Sequence, residues 1–121
     1  MKFLPGRHAI DAFGNGGFRF AGMSHLGSLV ILPSSMRACS ANSFAEVGIA
    51  DLQLFIDEKS EIDFLLIGTG RDMLRLPPSL IKLLNDASLN YDCMNTNAVV
   101  RTYNTILAED RRVAALMIAV P

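Results

Sequence analysis

The chain has 121 residues, 50% of them hydrophobic and 19% charged, with a formal net charge of −1. That length makes a single domain over residues 1–121, the apolar share excludes a disordered chain, and the balanced charge provides no positive field to gather nucleic acid or anionic lipid. Two cysteines without CxxC spacing, Cys39 and Cys93, and only two histidines exclude a disulfide framework and a zinc site, so no metal or cofactor is expected.

The first eight residues lack an apolar stretch behind Lys2, so they do not read as a signal peptide. The hairpin signal comes next: residues 8–13 and 18–20 flank Gly14-Asn15-Gly16-Gly17, which tolerate positive φ. Ser28-Leu29-Val30-Ile31-Leu32 is a continuous apolar run stopped by Pro33, the pattern of a strand covered on both faces. Residues 34–42 are small and polar, a short strand or loop. Ser43 with Glu46 three positions on is a capping-box pattern, and a loose stripe of Ala45, Leu52 and Leu54 predicts a helix over 43–57.

From residue 62 strands and helices alternate. Residues 62–67 form a second apolar strand closed by Gly68-Thr69-Gly70. Pro77-Pro78 pre-sets a helix to about Asn85 with Leu80, Ile81 and Leu84 on one face. Residues 89–94 read as a short strand. Thr96 is expected to cap a helix on which Val99, Val100, Tyr103, Ile106 and Leu107 recur at helical spacing. Glu109-Asp110-Arg111-Arg112 makes a polar turn before residues 113–120, the longest apolar run. A bilayer-spanning helix needs about 20 apolar residues, so this run is a buried closing strand and no integral membrane segment is expected. The order predicts βαβ units and a largely parallel or mixed sheet. A soluble, cytoplasmic α/β protein is the expectation.

In such sheets a ligand crevice lies beyond the carboxyl ends of the parallel strands. Gly68-Thr69-Gly70-Arg71 and Met94-Asn95-Thr96-Asn97 occupy that place. A glycine turn beside a helix start lets backbone N–H groups approach an anion, and Arg71 could add a positive charge. A dinucleotide fingerprint fails at Met73, and no P-loop lysine follows. Arg101 and Asn104 share a helix face and form a second candidate for holding a carboxylate. The plainer reading pairs Arg101 with Glu109 or Asp110 and lets Asn104 cap a backbone group. His8 and His25 read as ordinary hairpin and loop residues, Arg71/Arg75 and Arg111-Arg112 as solvated surface, and no catalytic residues assemble.

Ile10-Asp11-Ala12-Phe13-Gly14, Gly17-Phe18-Arg19, His25-Leu26-Gly27-Ser28-Leu29, Phe64-Leu65-Leu66-Ile67-Gly68-Thr69-Gly70, Arg101-Thr102-Tyr103-Asn104 and Glu109-Asp110-Arg111-Arg112-Val113 follow one another in a specific order. In that order the sequence resembles the Mth-type domains of unknown function, a family that includes assembly factor three of mitochondrial respiratory complex I. The resemblance runs from about residue 8 to 119 and implies a three-layer α/β fold: a central mixed β-sheet, flanking helices and an additional β-hairpin. It implies no established enzymatic activity. Gly68, Thr69, Gly70, Arg101, Tyr103, Asn104 and Arg112 fall on family motif positions, whereas small residues around Cys39 stand where an aromatic is expected. Two functional readings result. One is a non-enzymatic interaction module with protein partners, assisting assembly of a respiratory complex through an exposed apolar patch or a homodimer that covers one. The alternative is a small-molecule or anion-binding protein or enzyme using the crevice between the Gly68-Thr69-Gly70 turn and the Thr96 helix, with Arg71 or Arg101 holding an anionic group and Asn104 orienting it.

Overall fold

The computed structural model describes residues 3–121. In chain order the elements are β1 (Phe3–Pro5), β2 (Ala12–Gly14), β3 (Gly17–Phe20), β4 (Met23–Leu26), β5 (Leu29–Ile31), β6 (Ser35–Ala38), α1 (Ile49–Asp57), β7 (Phe64–Gly68), α2 (Pro78–Asp86), β8 (Tyr91–Met94), α3 (Thr96–Ala108) and β9 (Val113–Met117). A mixed six-stranded sheet has the order β1-β6-β5-β9-β7-β8, and β2-β3-β4 form a separate three-stranded sheet. β7 runs parallel to both β8 and β9, while β5 is antiparallel to β9 and β6.

The apolar runs read as strands lie in the middle of the main sheet because both of its faces are covered. Alternation along each strand sorts the side chains into two cores. Val30, Leu65, Ile67, Ala114 and Leu116 face α1 and α2, where Leu52, Phe55, Leu80 and Leu84 meet them. Leu29, Ile31, Leu66, Val113, Ala115 and Met117 face the opposite way, toward Val99, Val100 and Tyr103 of α3 and toward Phe18 and Phe20 of the small sheet. The three layers are therefore α1 with α2, the main sheet, and α3 beside the small sheet.

Several boundaries differ from expectation, each for a local reason. The predicted 43–57 helix is interrupted: a single 3-10 turn covers Phe44–Glu46, and α1 starts anew at Ile49. Glu46 closes the first turn by accepting from the N–H of Asn42 at 3.0 Å and of Ser43 at 3.1 Å. Extended backbone at Val47 and Gly48 then puts Val47 into the core, and Asp51 caps the restart by accepting from Gly48 N–H at 2.9 Å. Residues 7–11 are not a strand, and β9 ends at Met117 rather than at residue 120. β1 was not foreseen, and the hairpin is a three-stranded meander. Its first turn has positive φ at Asn15 and Gly16, as read, but its second uses Ala21 and Gly22, also at positive φ. An alanine at the first turn position gives no sequence signal. His25 consequently lies on β4, not in a loop. At Gly17 a Cβ would overlap the backbone oxygen of His25, so the meander requires glycine there.

Candidate functional site

The expected crevice begins where β7 ends. A Cβ on Gly68 would lie 3.1 Å from Thr96 Oγ1 and 3.2 Å from Thr96 Cα, so glycine is what lets the first turn of α3 sit on the end of the strand. Thr96 does not cap α3. Asn95 does, its side chain accepting from Ala98 N–H at 2.8 Å. Thr96, fully buried, ties three segments together instead. Its Oγ1 donates to the Ile118 carbonyl at 2.7 Å and accepts from Gly70 N–H at 3.0 Å. Its own N–H donates to Gly70 O at 2.8 Å, and Ile118 N–H donates to Gly68 O at 3.0 Å.

Thr69 is locked in the same way. Its N–H donates to Met94 O at 2.9 Å, and its hydroxyl donates to Asp72 O at 2.5 Å while accepting from Leu74 N–H at 3.1 Å. An anion site at a glycine turn needs N–H groups aimed into open space. Here the N–H groups of both Thr69 and Gly70 are engaged within the chain, which makes the turn a joint between β7, β9 and α3.

A shallow cavity of about 380 Å³ lies beside this joint, lined by apolar Phe44, Leu74, Ile118 and Ala119 together with Thr69, Gly70 and Arg71. The expected convergence of side chains does not occur: Arg71 borders the cavity, whereas Arg101 and Asn104 do not reach it. Arg101 is exposed on α3, and it forms neither of the ion pairs expected with Glu109 and Asp110; Glu109 instead lies 4.0 Å from Arg111. Asn104 does take the backbone role. Its Oδ1 accepts from Ile10 N–H at 2.8 Å and its Nδ2 donates to Ile10 O at 2.8 Å, a two-bond grip that imitates a strand partner.

Sequence reasoning missed the companions of that grip. Tyr103, placed correctly on the apolar face of α3, also donates its hydroxyl to His8 O at 2.9 Å. Burial holds its phenol well above the ordinary tyrosine range. Arg7 donates to the carbonyl of Val113 at 3.0 Å. Arg7, Tyr103 and Asn104 thus strap the irregular segment 7–10 across α3 and the start of β9. The signal was present in the Tyr103-Asn104 pair, but nothing in the sequence says which distant backbone they hold. Arg112, on another motif position, makes an exposed pair with Asp63 at 2.9 Å that holds the Asp63 carboxyl below the usual carboxylate range.

His25 Nε2 approaches the Ser28 carbonyl at 3.0 Å, and the Ser28 hydroxyl accepts from Ala119 N–H at 3.0 Å, so the two side chains form no dyad. Cys39 and Cys93 are free and half-buried, and burial is the main cause that raises both thiol pKa values. Among the described residues no three His, Cys, Asp or Glu side chains stand close enough to hold a metal ion. No helix of the described residues is long and apolar enough to cross a membrane.

These features define a three-layer α/β domain in which the motif residues Thr69, Tyr103 and Asn104 fasten its own segments to one another. The chain belongs to the family described as "Protein of unknown function (DUF498/DUF598)", whose model matches residues 10–118, and the resemblance to Mth-type domains is borne out. It is 33% identical to an uncharacterised protein of Rhodobacter capsulatus over 118 residues, 98% of this chain and 90% of that one. It is 25% identical to the Xenopus tropicalis NADH dehydrogenase [ubiquinone] 1 alpha subcomplex assembly factor 3, covering 90% of this chain but 60% of that protein. This chain therefore spans about three fifths of the length of that assembly factor. Among solved structures it superposes with a TM-score of 0.92 on a Bartonella henselae protein described as an outer membrane protein, at 48% identity over 97% of this chain and 98% of that one.

Proposed function

We propose that this chain is a non-enzymatic interaction module that assists assembly of a respiratory, NADH dehydrogenase-like complex through protein partners. The observation that carries this reading is the likeness to complex I assembly factor 3, which extends over 90% of the chain. The side-chain geometry supports it from the other direction. Of the candidate ligand side chains, Thr69 and Asn104 are engaged in holding backbone, as is Thr96, and Arg101 does not reach the cavity that Arg71 borders. Large apolar side chains nonetheless reach solvent at Leu26, Ile49, Met73 and Leu74, material for a contact with another protein.

The test is an affinity purification of the tagged chain from the native lysate with mass identification, alongside native-gel analysis of respiratory complexes in a deletion strain. Retention of NADH dehydrogenase subunits or assembly proteins, and accumulation of a subcomplex in the deletion, is the expected result. Normal assembly in the deletion with no enriched protein would overturn it and move attention to the cavity beside Arg71. A cytoplasmic location belongs to the same proposal, and cell fractionation decides it against the outer-membrane designation of the Bartonella henselae neighbour.

A further inference from the structure

β8 ends one side of the main sheet and, among the described residues, pairs only with β7. Leu65 N–H donates to Asn90 O and Thr69 N–H to Met94 O, both at 2.9 Å. A parallel ladder repeats every two residues, so Asn90, Asp92 and Met94 turn their peptide groups toward β7, and Tyr91 and Cys93 turn theirs outward. Among the described residues those outward N–H and C=O groups meet no hydrogen-bond partner. Proteins usually blunt such an edge with lysine, proline, a bulge or a covering segment. Tyr91-Asp92-Cys93-Met94 carries no lysine or proline; its short length and the single charge of Asp92 are what guard it.

A groove of about 250 Å³ runs beside this edge, with Tyr91, Asp92 and Cys93 on its β8 side and Met73, Leu74, Leu76 and Ile81 opposite. Met73 and Leu74 are 60% and 47% exposed, so the wall of the groove is apolar surface already facing water. Arg75 also lines it. Arg71 and Arg75 are both exposed, and neither makes an ion pair among the described residues.

We propose that β8 and this groove form a strand-addition site for an extended segment of a partner protein, with apolar side chains at alternate positions and a carboxylate that meets Arg75. An extended strand is the backbone that satisfies a row of outward N–H and C=O groups, and its two-residue period delivers every second side chain into the groove. Arg75, across the groove from Asp92, supplies the charge complement for an acid at the end of the segment that lies on the Arg75 side. A second copy of this chain fits less well, because a two-fold pairing centred on Asp92 sets two carboxylates opposite each other. This inference rests on the interaction-module reading and names its surface.

The experiment selects octapeptides from a random display library on the folded chain, then follows the synthesised winner by amide NMR. The expected winner alternates apolar residues with an acid near one end and shifts the amides of Tyr91 and Cys93 most. Methylating alternate peptide nitrogens abolishes binding on one parity and spares it on the other. Arg75→Glu weakens binding at least tenfold, and Leu74→Asp does so independently; both sites are exposed, and circular dichroism verifies that each variant is folded. Failure to select any peptide, shifts centred elsewhere, or Tyr91 and Cys93 shifts that follow protein concentration without peptide would overturn the proposal, the last by assigning the edge to a second copy. Continued co-purification of respiratory subunits with Arg75→Glu would sink this site while leaving the interaction-module reading standing.

Discussion

Replacing Thr96 with valine tests whether the Gly68-Thr69-Gly70 turn is a joint or an open cradle. Valine keeps the shape of threonine but removes the hydroxyl, leaving Gly70 N–H and Ile118 C=O without the bonds of 3.0 and 2.7 Å they make in the native chain. The site is fully buried, so water does not replace the lost partner. Each of the two unsatisfied buried groups costs about 1–3 kcal/mol, and the added methyl returns about 1 kcal/mol, for a net loss of about 1–5 kcal/mol. For a domain of this size that is a large share of a total stability of about 6–18 kcal/mol, and it lowers the melting temperature by about 10 °C. Urea unfolding followed by circular dichroism measures it as a lower midpoint with an unchanged slope. Thr96→Ser retains the hydroxyl and loses about 1 kcal/mol through the missing methyl. If valine falls within 1 kcal/mol of the native chain, or serine is as damaging as valine, then the hydroxyl is not what holds the turn, and the argument against an anion cradle fails.

Asn104→Ala breaks both bonds to Ile10, and we expect a loss of about 2 kcal/mol with much faster exchange of the Ile10 amide; unchanged protection of that amide would show that the segment is held by something else. Tyr103 makes an alkaline prediction. Its folded-state pKa is raised by burial, so its contribution is complete below the unfolded-state value of about 10 and declines as pH climbs above it. In a Tyr91→Phe variant Tyr103 is the sole tyrosine, and its ionisation absorbance near 295 nm should stay flat past pH ~10 and rise only with unfolding. A simple titration near pH 10 in the folded protein would contradict the burial argument.

The relation between sequence and structure differs from one element to the next. β5, β7 and β9 were legible because burial on both faces forces long apolar runs, and Pro78 marked the first turn of α2 because its missing N–H costs nothing there. Ser43 and Glu46 did announce a helical start, but the turn they cap ends at Glu46, since burying Val47 required extended backbone. The candidate site was half legible. Gly68, Thr69 and Gly70 sit at the strand end where they were expected, and Arg71 borders a cavity there. The roles were not legible. A threonine at a helix start reads as a cap, and only the approach of residue 118 makes Thr96 a three-way tie. Arg101 and Asn104 share a helix face, yet Asn104 is occupied by a segment 94 positions away.

Periodicity and turn chemistry act over a few residues, so the sequence by itself determined the buried strands β5, β7 and β9 and their alternation with α2 and α3. Partner choice for a hydrogen-bonding side chain depends on which distant backbone the packed sheet brings within 3 Å. The tertiary structure alone therefore decided that Thr69, Tyr103 and Asn104 fasten the chain to itself, and that the outward peptide groups of β8 remain without a partner among the described residues.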